Sequence, residues 1–420
     1  MIRLITNEIV RCEGVHELSD VYNQWGGSFD YIHAAAALVK CGKLPGGGRS
    51  SLVDKLCSTW LMQLPQAGLQ QCANVLWACV RLGPGAVDRM WDPTWEAYIQ
   101  LLQKESTAEG GGSPQNVANA LWACGKLRKQ PSAPELQLMV QTFLRPKVLS
   151  EARPQALANV VWALGEMSQL PGWQGGVSEQ DIQQLLAMQQ LLLVSANGWD
   201  TANVVWGLAR MAGGQGPIIG VDCARGCSKQ LLDIVCDRIP SWEPQSICNV
   251  MWACGELGLA DTPIMAAAVA AAPCWLPRST IPGLCQAVTA CAALQYRDEA
   301  FMQACLQRGL QLLGQQQQSK KQGRSSRPLL AAEGDKLAAI CCLSVTRLDI
   351  QLLAGPAYEL VFRSGIGRQP NTNLGNLKRL WVFHSWLLQH QLLDGQGLTG
   401  LLTQQQLQRG AREAAAFSQC

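Results

Sequence analysis

Apolar residues in this chain recur at helical spacing, and one apolar and polar pattern is written five times. QCANVLWACVRL from Gln71, NVANALWACGKL from Asn116, ALANVVWALGEM from Ala156, DTANVVWGLARM from Asp200 and SICNVMWACGEL from Ser246 are copies of a single segment. With the shared Asn as position zero, positions +1, +2, +5 and +8 are apolar in every copy, which places them on one broad face of an α-helix. The Asn falls at 74, 119, 159, 203 and 249, in steps of 45, 40, 44 and 46 that suit a two-helix repeat of about 34 to 47 residues. Pro114, Pro154 and Pro244 each stand five residues before the Asn and predict the first helical turn, where the missing N–H has no intrahelical partner to lose. A second amphipathic stretch lies between successive copies, at Pro93 to Glu105, Pro134 to Val148, Glu179 to Val194 and Ser228 to Ile239. The predicted fold is all-α, an α-solenoid of tandem helix-turn-helix repeats.

Weaker copies extend the array. AAAALVKCGKL from Ala34 aligns with Val39 at the Trp position, and Cys285 to Leu294 aligns with Gln286 at zero and Thr289 at the Trp position. Atypical terminal units are expected because an end repeat faces water on one side. Joints such as Gly110 to Pro114 and Gly213 to Pro217 separate the repeats by turn chemistry. The expected organisation is an N-terminal helical segment with a degenerate first repeat (1–50), the array (51–314), a polar Gln-rich basic linker (315–328) and a C-terminal helical segment with a disordered Gln-rich tail (329–420).

The polar columns of the motif helix carry the candidate chemistry. Position −4 holds Gln70, Gln115, Gln155 and Gln245; zero holds Asn74, Asn119, Asn159, Asn203 and Asn249; +7 holds Arg81, Lys126, Glu166, Arg210 and Glu256. Position −3 varies, with Gln71, Asn116, Ala156, Asp200 and Ser246. A uniform scaffold with varied polar positions is what a repeat that reads one base per unit requires. Asn is not favoured in mid-helix, so five in phase imply a hydrogen-bonding role, either a ladder to the backbone of the next repeat or contacts to RNA. The column of Trp77, Trp122, Trp162, Trp206 and Trp252 borders the apolar face, so packing between repeats is favoured over base stacking. On that reading Trp162→Ala costs about 3 to 5 kcal/mol. Ala or Gly at +4 lets helices, or a ligand backbone, approach closely.

Composition narrows the picture. The formal charge is +3, too weak for a general polyanion binder, so an RNA partner would need a local groove. Eighteen cysteines form no fixed framework, and Cys79, Cys124, Cys254 and Cys291 sit at small apolar helix positions. They read as reduced core thiols of a cytosolic, stromal or matrix-like compartment. Cys223 and Cys227 lack histidines at zinc spacing, so no metal or cofactor is expected, and no set of nucleophile, base and orienting group is present. Lys320, Lys321, Arg324 and Arg327 read as a solvated linker rather than a nucleic-acid contact. Met1 to Val10 shows neither signal nor transit pattern, and the longest apolar stretch, Ile264 to Ala272, is too short to span a membrane.

The segment Ala158 to Met167 and its four siblings, with Pro-Gln before them, resemble the motif helix of the octotricopeptide repeat family, helical-repeat proteins that act on organellar RNA. The opening from Ile5 to Leu44 is similar to the segment that introduces such arrays and those of the related FASTK-like mitochondrial RNA regulators. Asn376 to Leu387 resembles the helix that precedes their C-terminal RAP domain. No RAP domain is read after Leu393, so no nuclease-like role of that domain is carried over. The resemblance implies a sequence-selective, single-stranded RNA-binding protein of chloroplast or mitochondrion that stabilises, processes or assists translation of transcripts, and not an enzyme. Arg81, Lys126 and Arg210 would meet phosphates or acceptor edges, and Glu166 and Glu256 donor edges such as the cytosine amine. The alternative is a protein-interaction scaffold in an organellar ribonucleoprotein or ribosomal assembly.

Overall fold

The computed structural model describes residues 2–106, 112–173, 175–187, 197–214, 217–321, 328–369 and 372–417. Every regular element among them is helical, and the fold is all-α. The motif helices start where proline sets the phase: Pro114–Leu127, Pro154–Met167 and Pro244–Leu257 each open on their proline. In the first of these the Ser113 side chain accepts the Asn116 backbone N–H at 3.3 Å, which satisfies one of the orphan donors of the first turn. Gly258 closes the last turn of Pro244–Leu257 at φ 65°, a conformation that glycine adopts without strain.

The chain forms two compact units, Met1–Ala196 with Arg210–Ala224, and Asn197–Ala209 with Arg225–Cys420. The first holds two rows of helices. Tyr31–Lys43, Leu69–Leu82, Pro114–Leu127 and Pro154–Met167 pack side by side in one row; Leu52–Gln63, Pro84–Ser106 and Ala133–Phe143 form the other. In the second, Pro244–Leu257, Ile281–Ala293, Pro328–Arg347, Leu374–Gln389 and Gln404–Phe417 pack in succession. Both degenerate copies are therefore helices that pack on regular ones.

Small residues set how closely the motif helices approach. A Cβ added to Gly125 would lie 3.0 Å from the Trp162 ring and 3.2 Å from the Ala163 Cα, and one on Gly255 would lie 3.0 Å from the Ala290 Cα. Positions +6 of one helix and +4 of the next thus meet backbone to backbone. The cysteines fill the same interior: burial pushes the thiols of Cys79, Cys254 and Cys291 up to about 12.

Several expected boundaries move. Pro93 lies inside the helix Pro84–Ser106 and does not start one. The second stretches become Ala133–Phe143 with Pro146–Ser150, Glu179–Ala187, and Val221–Val235 with a 3-10 turn over Cys236–Ser241; residues 188–194 lie outside the described part, as do parts of both glycine joints. Glu299–Lys321 continues as helix through the first half of the expected linker, whose remainder at 322–327, with Arg324 and Arg327, is not among the described residues. The tail expected to be disordered is the helix Gln404–Phe417. Its glutamines are not all solvated: Gln406 is 5% exposed, accepts the Thr403 backbone N–H at 2.9 Å in a reciprocal cap, and donates to the Gln369 carbonyl at 3.1 Å.

Candidate functional site

Helix geometry decides which motif columns share a face. At about 100° per residue, positions −4, 0, +3 and +7 fall within roughly 60° of one another, while −3 lies about 90° from their centre. The structure follows this division except at zero in two copies, where Asn159 and Asn203 are buried. Gln70, Gln115, Gln155, Arg81, Lys126 and Glu256 are exposed, and all five column indoles are half-buried. At −3, Asn116 (8% exposed), Asp200 (5%) and Ser246 (1%) are buried and Gln71 is half-buried. The expectation that −3 holds the readers is corrected on these side chains, which turn toward the packed interior.

The column-zero asparagines bond to one another. Asn119 Nδ2 donates to Asn74 Oδ1 at 3.4 Å, and Gln115 Nε2 donates to Asn119 Oδ1 at 2.7 Å. In the second unit, Asn249 Oδ1 accepts from Gln245 Nε2 at 2.7 Å and from Gln286 Nε2 at 3.0 Å. The expected ladder thus runs to the neighbouring side chain and not to its backbone. Gln286 takes the asparagine's place with its amide intact, which is why that substitution preserves the ladder. Asn159 and Asn203 are buried at 9% and 5% exposure.

Indoles and cations alternate beside the amides in the first unit. Trp77 and Trp122 stack with centroids 6.2 Å apart. Lys43 Nζ and the Arg81 guanidinium lie 5.7 and 5.8 Å from the Trp77 centroid. Lys126 Nζ lies 5.7 Å from Trp122 and 4.2 Å from Trp162, within cation–π range of both. Burial pulls the Lys126 amine below its ordinary value, with Glu166 acting in the opposite sense. Further along +7, Arg210 pairs with Glu166 at 3.6 Å, so these two expected readers neutralise each other. In the second unit, Trp206 and Trp252 meet ring on ring at 4.0 Å.

Three participants escape a reading of the sequence. Lys43 occupies +7 of the degenerate first copy, and its VKCGKL matches the later WACGKL closely enough to reveal it. Trp199 stands at −4 where the other copies carry Gln, and is 48% exposed. The helix Pro328–Arg347 repeats the motif's burial pattern with Ile340 at zero, Leu343 at +3 and Arg347 at +7. Ala339 at −1 and Arg347-Leu348 match the motif in sequence, too little to reveal it because both marker residues are replaced.

Among the described residues no helix is long and apolar enough to cross a membrane, and no group of three or more His, Cys, Asp or Glu side chains could hold a metal ion. No protein-family model matches the chain, and no curated protein matches it either.

Proposed function

We propose that the chain is an α-solenoid that binds single-stranded RNA along the exposed face of its motif helices, with the indole and cation row of the first unit as the principal contact. The observation that carries this reading is the placement of Lys43, Arg81 and Lys126 over the rings of Trp77, Trp122 and Trp162. Single-strand binders combine aromatic faces with cations that follow the phosphates, because stacking tolerates any base and charge holds the backbone. The exposed amides of Gln70, Gln115 and Gln155 both donate and accept, as contact with base edges requires. The motif's resemblance to octotricopeptide repeats adds the cellular setting, transcripts of a chloroplast or mitochondrion, and a role in their stabilisation, processing or translation rather than catalysis.

Titration of a 20-nucleotide single-stranded RNA against rising salt tests the proposal. Affinity should fall steeply, and Arg81→Gln and Lys126→Gln should each lower the slope of log K on log salt by about 0.7. An unchanged slope in both variants contradicts it. RNA-independent capture of a peptide with little salt dependence would favour the scaffold reading instead.

A further inference from the structure

The indole column stops at Trp252, and the two next positions carry smaller side chains, Thr289 and Leu343, both of which line a cavity. This cavity of about 370 Å³ lies in the second unit, within the size range of small-molecule sites. Thr289, Ile340 and Leu343 supply aliphatic surface to it, and Arg347, Lys378 and Arg379 supply positive charge. One carboxylate, Glu413, also lines it, so the local balance is basic. Arg347 and Arg379 form no ion pair among the described residues; the hydrogen bond of Arg379 runs to Asn376 Oδ1 at 3.3 Å. Burial depresses the Arg379 guanidinium, and the neighbouring Arg347 acts in the same sense, with Cys285 opposing. Two guanidinium groups beside a single lining carboxylate, Glu413, are only partly compensated, and a bound dianion relieves the remaining cost.

We propose that this cavity binds a purine nucleoside monophosphate, free or as the 5′-phosphorylated end of an RNA. The base replaces the missing indole against Thr289, Ile340 and Leu343, and Arg347 and Arg379 hold the phosphate. A purine and an indole are both fused six- and five-membered rings, so the gap in the column selects for that shape. Guanidinium forks suit phosphate oxygens in bidentate geometry. The site stands apart from the array reading, since none of its residues belongs to the indole and cation row of the first unit.

Calorimetric titration of the full chain with AMP, GMP, CMP, adenosine and inorganic phosphate tests the site, together with a short purine-initiated RNA carrying either a 5′-phosphate or a 5′-hydroxyl. AMP or GMP should bind at least tenfold more tightly than CMP, adenosine and phosphate. A tenfold preference for the 5′-phosphorylated RNA over its hydroxyl form identifies an RNA end as the source, and equal weak binding of both RNAs identifies the free nucleotide. Thr289→Trp refills the column and should abolish binding, and Arg347→Gln with Arg379→Gln should weaken it at least tenfold, each with its helical circular dichroism retained. Should Thr289→Trp fail to fold, the arginine pair decides. Lys126→Gln should leave nucleotide affinity unchanged even where it weakens RNA binding. Undiminished AMP affinity in folded Thr289→Trp or in the arginine variant overturns the proposal, as does failure of both AMP and the phosphorylated RNA to bind.

Discussion

The two units use one helical motif with different chemistry on its exposed face. In the first, the indoles of Trp77, Trp122 and Trp162 carry cations at +7. In the second, Trp206 and Trp252 pack on each other, Gln245, Asn249 and Gln286 close an amide cluster, and the next Trp position holds Thr289. The comparison separates what the motif must keep from what it can vary. A small residue at +4 persists in every clear copy, with Gly or Ala at +6 in all of them but the first, which carries Val80, and an amide holds zero from Asn74 to Gln286, because helix approach and the ladder depend on them, whereas +7 changes with the surface it presents.

If packing, and not the repeated indole, dominates stability, the largest loss comes from outside the motif. Trp60 is fully buried and donates its Nε1–H to Thr94 Oγ1 at 2.8 Å. Trp60→Ala should cost about 3 to 5 kcal/mol in urea denaturation followed by circular dichroism. Trp162→Ala, expected from sequence to cost as much, should cost about half that, because its ring is only half-buried, with the Lys126 ammonium over its face. An equal loss at both sites would restore the indole as the main fastener.

The close approach is the next point at which the comparison can be broken. Gly255→Val puts new atoms against the Ala290 backbone and should cost about 1 to 3 kcal/mol, with Gly125→Val alike in the first unit. Asn249→Ala removes the acceptor shared by Gln245 and Gln286 and should cost about 1 kcal/mol. Little effect from either glycine variant would mean that the helices part easily at +6.

The smallest effect is a charge effect. Burial raises the Asp200 carboxyl above its usual value, with the backbone hydrogen bond at Asn197 opposing. The folded chain therefore holds that proton more tightly than the unfolded chain. The resulting stabilisation is complete below the unfolded value and is lost as pH rises through the folded one. Asp200→Asn should raise the Tm at neutral pH, with the gain vanishing in acid below the ordinary carboxylate range. A gain that does not change with pH would remove burial of the charge as its cause.

Much of the fold is legible in the chain because periodicity and steric rules act locally. The motif columns, the proline starts and the hydrogen-bonding role of the column-zero amides follow from spacing alone. Position −3 misleads because its polarity suggests exposure, and only the 3.6-residue geometry, supported by the burial of Asn116, Asp200 and Ser246, places it inward. The tail misleads because glutamine-rich composition hides a capped helix whose Gln406 bonds to a carbonyl distant in sequence. The neutralising pair Glu166–Arg210 and the cavity beside Thr289 depend on neighbours that no single repeat specifies.

Ultraviolet crosslinking of a single-stranded RNA to the full chain, with the adducts located by mass spectrometry, tests the central claim most directly. Adducts should map to Trp77, Trp122, Lys126 and neighbouring residues of the −4, 0 and +7 columns. Adducts absent from these columns and concentrated on the other helix row of the first unit, around Ala133–Phe143, would contradict it.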